Sequence, residues 1–339
     1  MWRNRRHVHA TGRLGHTLLL DPGDFRMRVH HHLALAVSLA LLGGCAQSPT
    51  DDATTTVETA APAPASDAAT AWLADVEAIA AAGDNAGRRN AIEQQLKSLG
   101  LAWTGETFES EHGPGQNLIA EVSGDASAPL LLLGAHSDRV GEGKGATDNA
   151  SGSAVVLALA ERFKQQPLAN HRVSIAFWDQ EERGLLGAHA FVANGGTAPA
   201  QYVNFDVFGW GDTVWMMTPD PAHPLVGASQ SAANAAGLHL SAGEQYPPTD
   251  HRAFLKAGWP AVSYSLVGQD EIGAILAAYA GTKPETTPKV MHVIHSERDT
   301  LAQLDANAAA SGIDAIEAAL RQWDANAAAG AAATATGSD

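Results

Sequence analysis

The chain has 339 residues, 45% of them hydrophobic and 17% charged, enough apolar side chains for a substantial core in one large domain or two small ones. Its formal charge of −16, with no basic patch or RNA-binding motif, excludes a protein that grips nucleic-acid phosphates. A single cysteine excludes an intrachain disulfide.

Residues 1–26 have no signal-peptide character and read as an upstream extension ahead of the native start. Met27-Arg28 and His30 to His32 form a short basic region, followed by the apolar run Leu33 to Leu42, too short to span a bilayer. The run ends in Leu42-Gly43-Gly44-Cys45, which resembles a bacterial lipobox. Cleavage before Cys45 would leave this cysteine as the lipidated N-terminus, so 27–45 reads as a lipoprotein signal peptide. Residues 46–68, rich in Ala, Thr, Pro, Ser and Asp, read as a flexible tether.

The folded domain is expected over 69–323. Ala71 to Leu99 is mostly helical with a break near Gly83-Asp84-Asn85. Asn117 to Val122 and Leu130 to Leu133 are apolar, strand-like runs. Ser151-Gly152 opens a helix to about Gln165, stopped by Pro167. Arg172 to Trp178 is a strand and Leu185 to Val192 a helix; Tyr202 to Val207 and Thr213 to Met217 are strands. A helix near 224–236, a strand near 261–266 and a long helix from about 300 to 322 follow. Residues 324–339, mostly Ala, Gly and Thr, are expected to be a disordered tail. Helices alternating with buried strands indicate an α/β fold, three-layer α/β/α with a mixed, mostly parallel central sheet.

The chemistry-bearing residues recur at the ends of these strands. His136-Ser137-Asp138 follows the strand ending at Leu133, Glu181-Glu182 follows Trp178, and Asp206 lies near the end of its own strand. In open α/β sheets ligands collect at the carboxyl edge of the strands. Asp148-Asn149-Ala150-Ser151-Gly152 stands at a helix start and His295 precedes the last helix. Each motif alone has a bland reading, such as a polar turn, a helix cap or a solvated loop. Together they supply two imidazoles, three carboxylates and one spare glutamate, the set a two-metal hydrolase needs.

At these residues the chain resembles the co-catalytic di-zinc aminopeptidases related to bacterial leucyl aminopeptidases. Glutamate carboxypeptidase, transferrin receptor and glutaminyl cyclase are more distant relatives of that family. The resemblance covers roughly residues 70–322 and includes Gly115-Gln116-Asn117-Leu118-Ile119-Ala120 and Ile294-His295-Ser296-Glu297-Arg298-Asp299-Thr300. It implies two Zn²⁺ ions bridged by Asp148, with His136 and Asp206 completing one site and Glu182 and His295 the other. It further implies that Asp138 fixes the His136 tautomer and that Glu181 is the general base. Tyr246-Pro247-Pro248-Thr249-Asp250-His251 is similar to the family's Tyr-x-x-Ser-Asp-His segment, and implies that Tyr246 steadies the oxyanion while Asp250 and His251 give structural support. Thr147 stands where the family often has a second Asp, at a position that is not a ligand.

The expected function is removal of N-terminal residues from peptides that have a free N-terminus. Glutaminyl-peptide cyclotransferase is the rival: Asp179-Gln180-Glu181-Glu182 is similar to the Asp-Gly-Glu-Glu of the cyclases. Against it, Ile294 stands where cyclases typically carry Trp, and Asn149-Ala150-Ser151-Gly152 is usually absent from them. A non-catalytic binding lipoprotein is the third reading, disfavoured because all five ligands and Glu181 are retained. Trp210, Trp215, Tyr264 and Phe208 are candidates for an apolar pocket wall and equally for core. The lipobox implies membrane attachment through Cys45, and Ala46 rather than Asp after it points to the outer membrane, facing the periplasm of a Gram-negative cell.

Overall fold

The computed structural model describes residues 65–336, with side chains to residue 327. The extension, the signal peptide with Cys45 and nearly all of the tether lie outside the described residues. Eight strands form one sheet: β1 (Trp103–Phe108), β2 (Gly115–Ser123), β3 (Leu130–His136), β4 (Arg172–Trp178), β5 (Gln201–Phe208), β6 (Thr213–Met217), β7 (His239–Gly243) and β8 (Ala261–Val267). Their spatial order is β1-β2-β4-β3-β5-β8-β6-β7. The four central strands β4, β3, β5 and β8 are parallel, β2 and β6 flank them antiparallel, and β7 pairs parallel with β6.

The sheet is covered on both faces, which explains why β3 reads Leu-Leu-Leu-Leu-Gly-Ala-His with every residue buried. Alternate residues face opposite layers. Leu131 and Leu133 join a core with α1 (Asp67–Ala80), α2 (Asn85–Ser98), α3 (Ser151–Gln165), α5 (Pro224–Ala235) and α9 (Ala306–Thr336). Leu130 and Leu132 face α4 (Leu186–Ala193) and α6 (His251–Lys256), where Phe191 and Phe254 pack around Trp178. A third cluster joins Trp210 and Trp215 to α7 (Ile272–Tyr279) and α8 (Lys289–Val293). Filling a leucine position such as Leu133 contributes roughly 2–5 kcal/mol relative to alanine.

The helix break expected near Gly83 is the turn between α1 and α2, where Asp84 caps α2 by accepting from the Gly87 N–H at 2.7 Å. The last helix starts later and runs further than expected. Leu301–Gln303 is a short 3-10 turn, and α9 continues through the segment read as a disordered tail as far as Thr336. Its buried stripe Ala309, Ile313, Ile316 and Leu320 anchors it, and alanine, the best helix former, carries it on. Among the described residues no helix is long and apolar enough to cross a membrane.

Candidate active site

Parallel register brings the ends of β3 and β4 level, with His136 opposite Trp178. The chain leaving β4 makes a 3-10 turn at Glu181–Arg183, entered through Gln180 at φ 59°. On β5 the register with β8 shifts between Phe205 and Phe208, and Val207 there adopts φ 55°. An irregularity of this kind re-aims a side chain at a sheet edge, and the residue re-aimed is Asp206. His295 itself has φ 56°, so three of the four non-glycine residues with positive φ in the described chain sit on or beside the predicted ligands and general base. Such backbone is uncommon for a β-branched residue like Val207 and persists only where surroundings enforce it.

The pentapeptide Asp148 to Gly152 is both site and cap. The Asn149 side chain accepts from Gly152 N–H at 2.9 Å and donates to the Phe205 carbonyl at 2.8 Å. Ser151 Oγ donates to the Thr147 carbonyl at 2.6 Å and accepts from Phe208 N–H at 3.0 Å. A Cβ on Gly152 would stand 2.6 Å from the Phe205 carbonyl oxygen, so only glycine lets α3 press this closely on β5. Asp148 is thus clamped between a helix start and a strand. Asp299 accepts the Thr147 and Asp148 N–H groups at 2.6 and 3.1 Å, fixing the same loop from the far end of the chain.

The five predicted ligands come together in two groups that share Asp148. His136, Asp148 and Asp206 form one, Asp148, Glu182 and His295 the other, with ligand atoms in each group within 4.8 Å of one another. Asp148 Oδ1 lies 3.1 Å from His136 Nε2, and Asp148 Oδ2 lies 3.1 Å from His295 Nε2. Asp206 Oδ1 is 3.6 Å from His136 Nε2 and Glu182 Oε2 is 3.1 Å from His295 Nε2. Glu181 joins neither group, although it lines the same cleft.

Asp138 does more than the sequence implies. The acceptor nearest His136 Nδ1 is the Asp138 main-chain carbonyl at 3.2 Å, with the carboxylate Oδ1 at 3.5 Å. The carboxylate itself accepts the N–H of Glu181 at 3.0 Å and of Glu182 at 3.3 Å. One residue therefore orients an imidazole with its backbone and the glutamate pair with its side chain. Tyr246 Oη hydrogen-bonds Ser265 Oγ, which donates to the Asp206 carbonyl, and the Tyr246 ring packs on Trp215 at 4.6 Å. Asp250 and His251 belong to neither ligand group. Burial, followed by the charge of Arg252, drives the His251 imidazole down to about 3, so it packs as a neutral ring against Tyr246. The Asp250 carboxyl is buried without a hydrogen-bond partner, and burial pushes it well above the usual carboxylate range.

The electrostatics show a cluster short of positive charge. Burial pushes the Glu181 carboxyl well above its ordinary value; Asp250, Asp206 and Asp148 act the same way, while His136 opposes them. Burial also disfavours the charged form of Asp148, but hydrogen bonds from His136 and His295 overcome it and hold the carboxyl below the usual range. Hydrogen bonds to Asp148 and Glu182 push His295 up to about 11. Burial opposes protonation of His136, yet the surrounding carboxylates, Glu181 foremost, raise it well above the ordinary histidine value.

Two supporting residues escape a reading by motif. Arg88 on α2 is fully buried, donating from Nε to the Ser137 carbonyl at 2.7 Å and from Nη1 to the Lys144 and Gly145 carbonyls at 3.1 and 3.2 Å. It ties the His136 loop to the Asp148 loop, but in sequence it is one arginine on a polar helix. Asp299 did carry a signal, lying four residues after His295 within the quoted terminal motif. Of the four wall candidates, Trp215 lines the cleft, Trp210 belongs to the third core cluster, and Phe208 and Tyr264 are main core. The rest of the apolar wall includes Val267, Ile275, Val290 and Ile294.

The sequence profile of peptidase family M28 matches residues 117–320. The chain is 30% identical over 241 residues to leupeptin-inactivating enzyme 1 of Streptomyces exfoliatus, covering 68% of this chain and 53% of that protein. It is 31% identical over 147 residues to the "Probable lipoprotein aminopeptidase LpqL" of Mycobacterium tuberculosis, covering 40% of this chain and 28% of that one. The chain thus spans about half the length of the first of these curated relatives and less of the second. Among solved structures, Porphyromonas gingivalis glutaminyl cyclase superposes with a TM-score of 0.58 at 19% identity, over 76% of this chain and 98% of that one. A Zn-dependent exopeptidase from Parabacteroides distasonis gives 0.58 at 17% identity, over 74% and 96%. At these identities the two structures establish the shared fold.

Proposed function

The chain belongs to peptidase family M28, and we propose that it is a two-zinc aminopeptidase that removes apolar N-terminal residues from peptides. The observation that carries this reading is the pair of ligand groups hinged on the two oxygens of Asp148, with Glu181 beside them and outside both. The residues fit two divalent cations. Five side chains converge, the Glu182 Oε1 atom is buried with no hydrogen-bond partner, and the carboxylates draw protons onto both imidazoles for want of other positive charge. Imidazole with carboxylate is a zinc-type donor set, and the description of the Parabacteroides distasonis neighbour as Zn-dependent points the same way. His136 and Asp206 would hold one ion, Glu182 and His295 the other, and Asp148 both.

Bound there, zinc would polarise the scissile carbonyl and make water a stronger nucleophile. The chain's own part is positional. Glu181, raised by burial and held at its N–H by Asp138, takes the proton of the attacking water on its carboxylate and returns it to the leaving amine. Tyr246, on the cleft wall, would turn its hydroxyl from Ser265 to the developing oxyanion, a contact worth a few kcal/mol in comparable sites. Trp215, Val267, Ile275, Val290 and Ile294 offer the N-terminal side chain an apolar surface.

Cyclisation of N-terminal glutamine is the second reading, favoured by the shared fold with a cyclase covered over 98% of its length. Incubating the zinc-loaded protein with a peptide bearing a free N-terminal Gln, and with its N-acetylated twin, separates the two by mass spectrometry. Stepwise shortening of the free peptide alone supports the aminopeptidase. Loss of ammonia without shortening makes it a cyclase, and cleavage of the acetylated twin removes the requirement for a free N-terminus.

The proposed location is the cell envelope, by lipidation of Cys45, on the outer membrane facing the periplasm of a Gram-negative cell. The name of the mycobacterial relative supports the lipoprotein reading. Cys45→Ala should move the protein from the membrane to the soluble fraction.

A further inference from the structure

The cleft continues past the ligand groups into a second hollow. Glu181, Glu182, His295, Pro248 and Tyr279 line both parts, so they form the seam between them. Beyond the seam, basic side chains join apolar ones such as Leu185 on the walls. On the Trp215 side they are apolar; on the other side stand His189, Arg252 and Lys256.

Arg252 and Lys256 lie one turn apart on α6, both exposed, and among the described residues neither side chain makes an ion pair or a hydrogen bond. Burial, followed by the charge of Lys256, lowers the His189 imidazole, so this histidine adds no third cation but can still donate a hydrogen bond. The sequence has 21 basic residues against 37 acidic ones. Two unpartnered cations beside a catalytic seam are therefore against the trend of this surface, where an acid would be the commoner neighbour. No carboxylate lines this hollow apart from the glutamate pair at its inner end.

We propose that the Arg252–Lys256 hollow is the subsite on the leaving-group side of the scissile bond, and that it takes a carboxylate. This rests on the aminopeptidase reading above, which puts the scissile bond at the seam and the N-terminal side chain against the apolar wall. The remaining substrate then extends toward the basic hollow, which opens from the same seam. A carboxylate close behind the scissile bond comes from two sources, the C-terminus of a dipeptide or tripeptide, or an acidic side chain next to the bond. Guanidinium and ammonium groups favour either through charge-assisted hydrogen bonds. On the first source the protein is an enzyme of short peptides; on the second it trims longer ones before acidic residues.

The test compares kcat/KM of the zinc-loaded protein for Leu-Ala and Leu-Ala-amide, and for Leu-Glu-amide and Leu-Gln-amide. The same four substrates are run with R252Q/K256Q, and leucyl p-nitroanilide, which has no carboxylate, serves as control. At least one acid should exceed its neutral twin about ten-fold, mainly through KM. In the double variant that ratio should fall toward one, with anilide turnover within about two-fold of the parent. The first pair alone responding identifies the C-terminus, the second alone the acidic side chain. Equal kcat/KM within both pairs, or a preference that survives in R252Q/K256Q, overturns the subsite while leaving the aminopeptidase reading intact. Absence of turnover on the anilide and on every peptide removes the aminopeptidase reading and the subsite with it.

Discussion

The two ligand groups share Asp148 but little else. The inner group is buried: His136 is 1% exposed at the end of a central parallel strand, and Asp206 is presented by an irregularity in the next one. The outer group reaches the mouth through His295, whose side chain is 51% exposed in the loop after α8, while Glu182, on a 3-10 turn, keeps its side chain nearly buried. Sheet register sets the inner ligands, whereas loops set the outer ones. His136 is therefore part of the folding core, and of the five ligands His295 is the least embedded in it.

The largest effect should come from separating the two groups by mutation. His136→Ala leaves Asp148 and Asp206 facing one another in a buried space, and activity should fall at least about a thousand-fold with stability reduced by roughly 2–4 kcal/mol. His295→Ala should cost similar activity but less stability, about 1 kcal/mol, because the imidazole is half exposed although its partners Asp148 and Glu182 are not. Metal content by elemental analysis together with urea unfolding checks both, and equal destabilisation by the two variants would break the comparison.

Glu181 belongs to neither group, so Glu181→Gln should lower turnover about 10²–10⁴-fold with metal content unchanged. Lost metal would instead make it a ligand.

A milder test uses a half-buried acid away from the site. Burial, followed by the charge of Glu161, raises Asp75 on α1 to about 6 from an ordinary 3.8. Its folded pKa is above its unfolded one, so the folded state binds more protons and stability falls as pH rises from about 4 to 6. Asp75→Asn should flatten that decline and gain on the order of 1 kcal/mol at pH 7 after allowance for partial exposure. Unfolding at pH 4 and 7 measures it; no change in slope would mean that this acid is not perturbed.

The inner region was also the more legible in the sequence. Continuous apolar runs betray β3 and β4 because both faces of the sheet are covered, and the ligands hang on their ends. Edge strands β1 and β7 carry no such run; four of the six β1 residues are exposed. Helices α6, α7 and α8 are too short to establish a 3.6-residue period. Arg88 left no mark because its task, bonding three carbonyls, depends on loops distant in sequence. The family resemblance ties Asp138 to His136, and only the fold shows that its carboxylate also holds the Glu181 and Glu182 main chain. Alanine-rich sequence after Trp323 was read by its missing core pattern, and helix propensity prevailed.

The central claim is that one carboxylate, Asp148, organises two metal ions for a single hydrolytic step. Zinc should be removed by chelation and returned in measured increments while bound zinc per chain and leucyl p-nitroanilide turnover are followed together. The account expects binding to saturate at two ions per chain and full turnover to require the second. Saturation at one ion with full activity would contradict it.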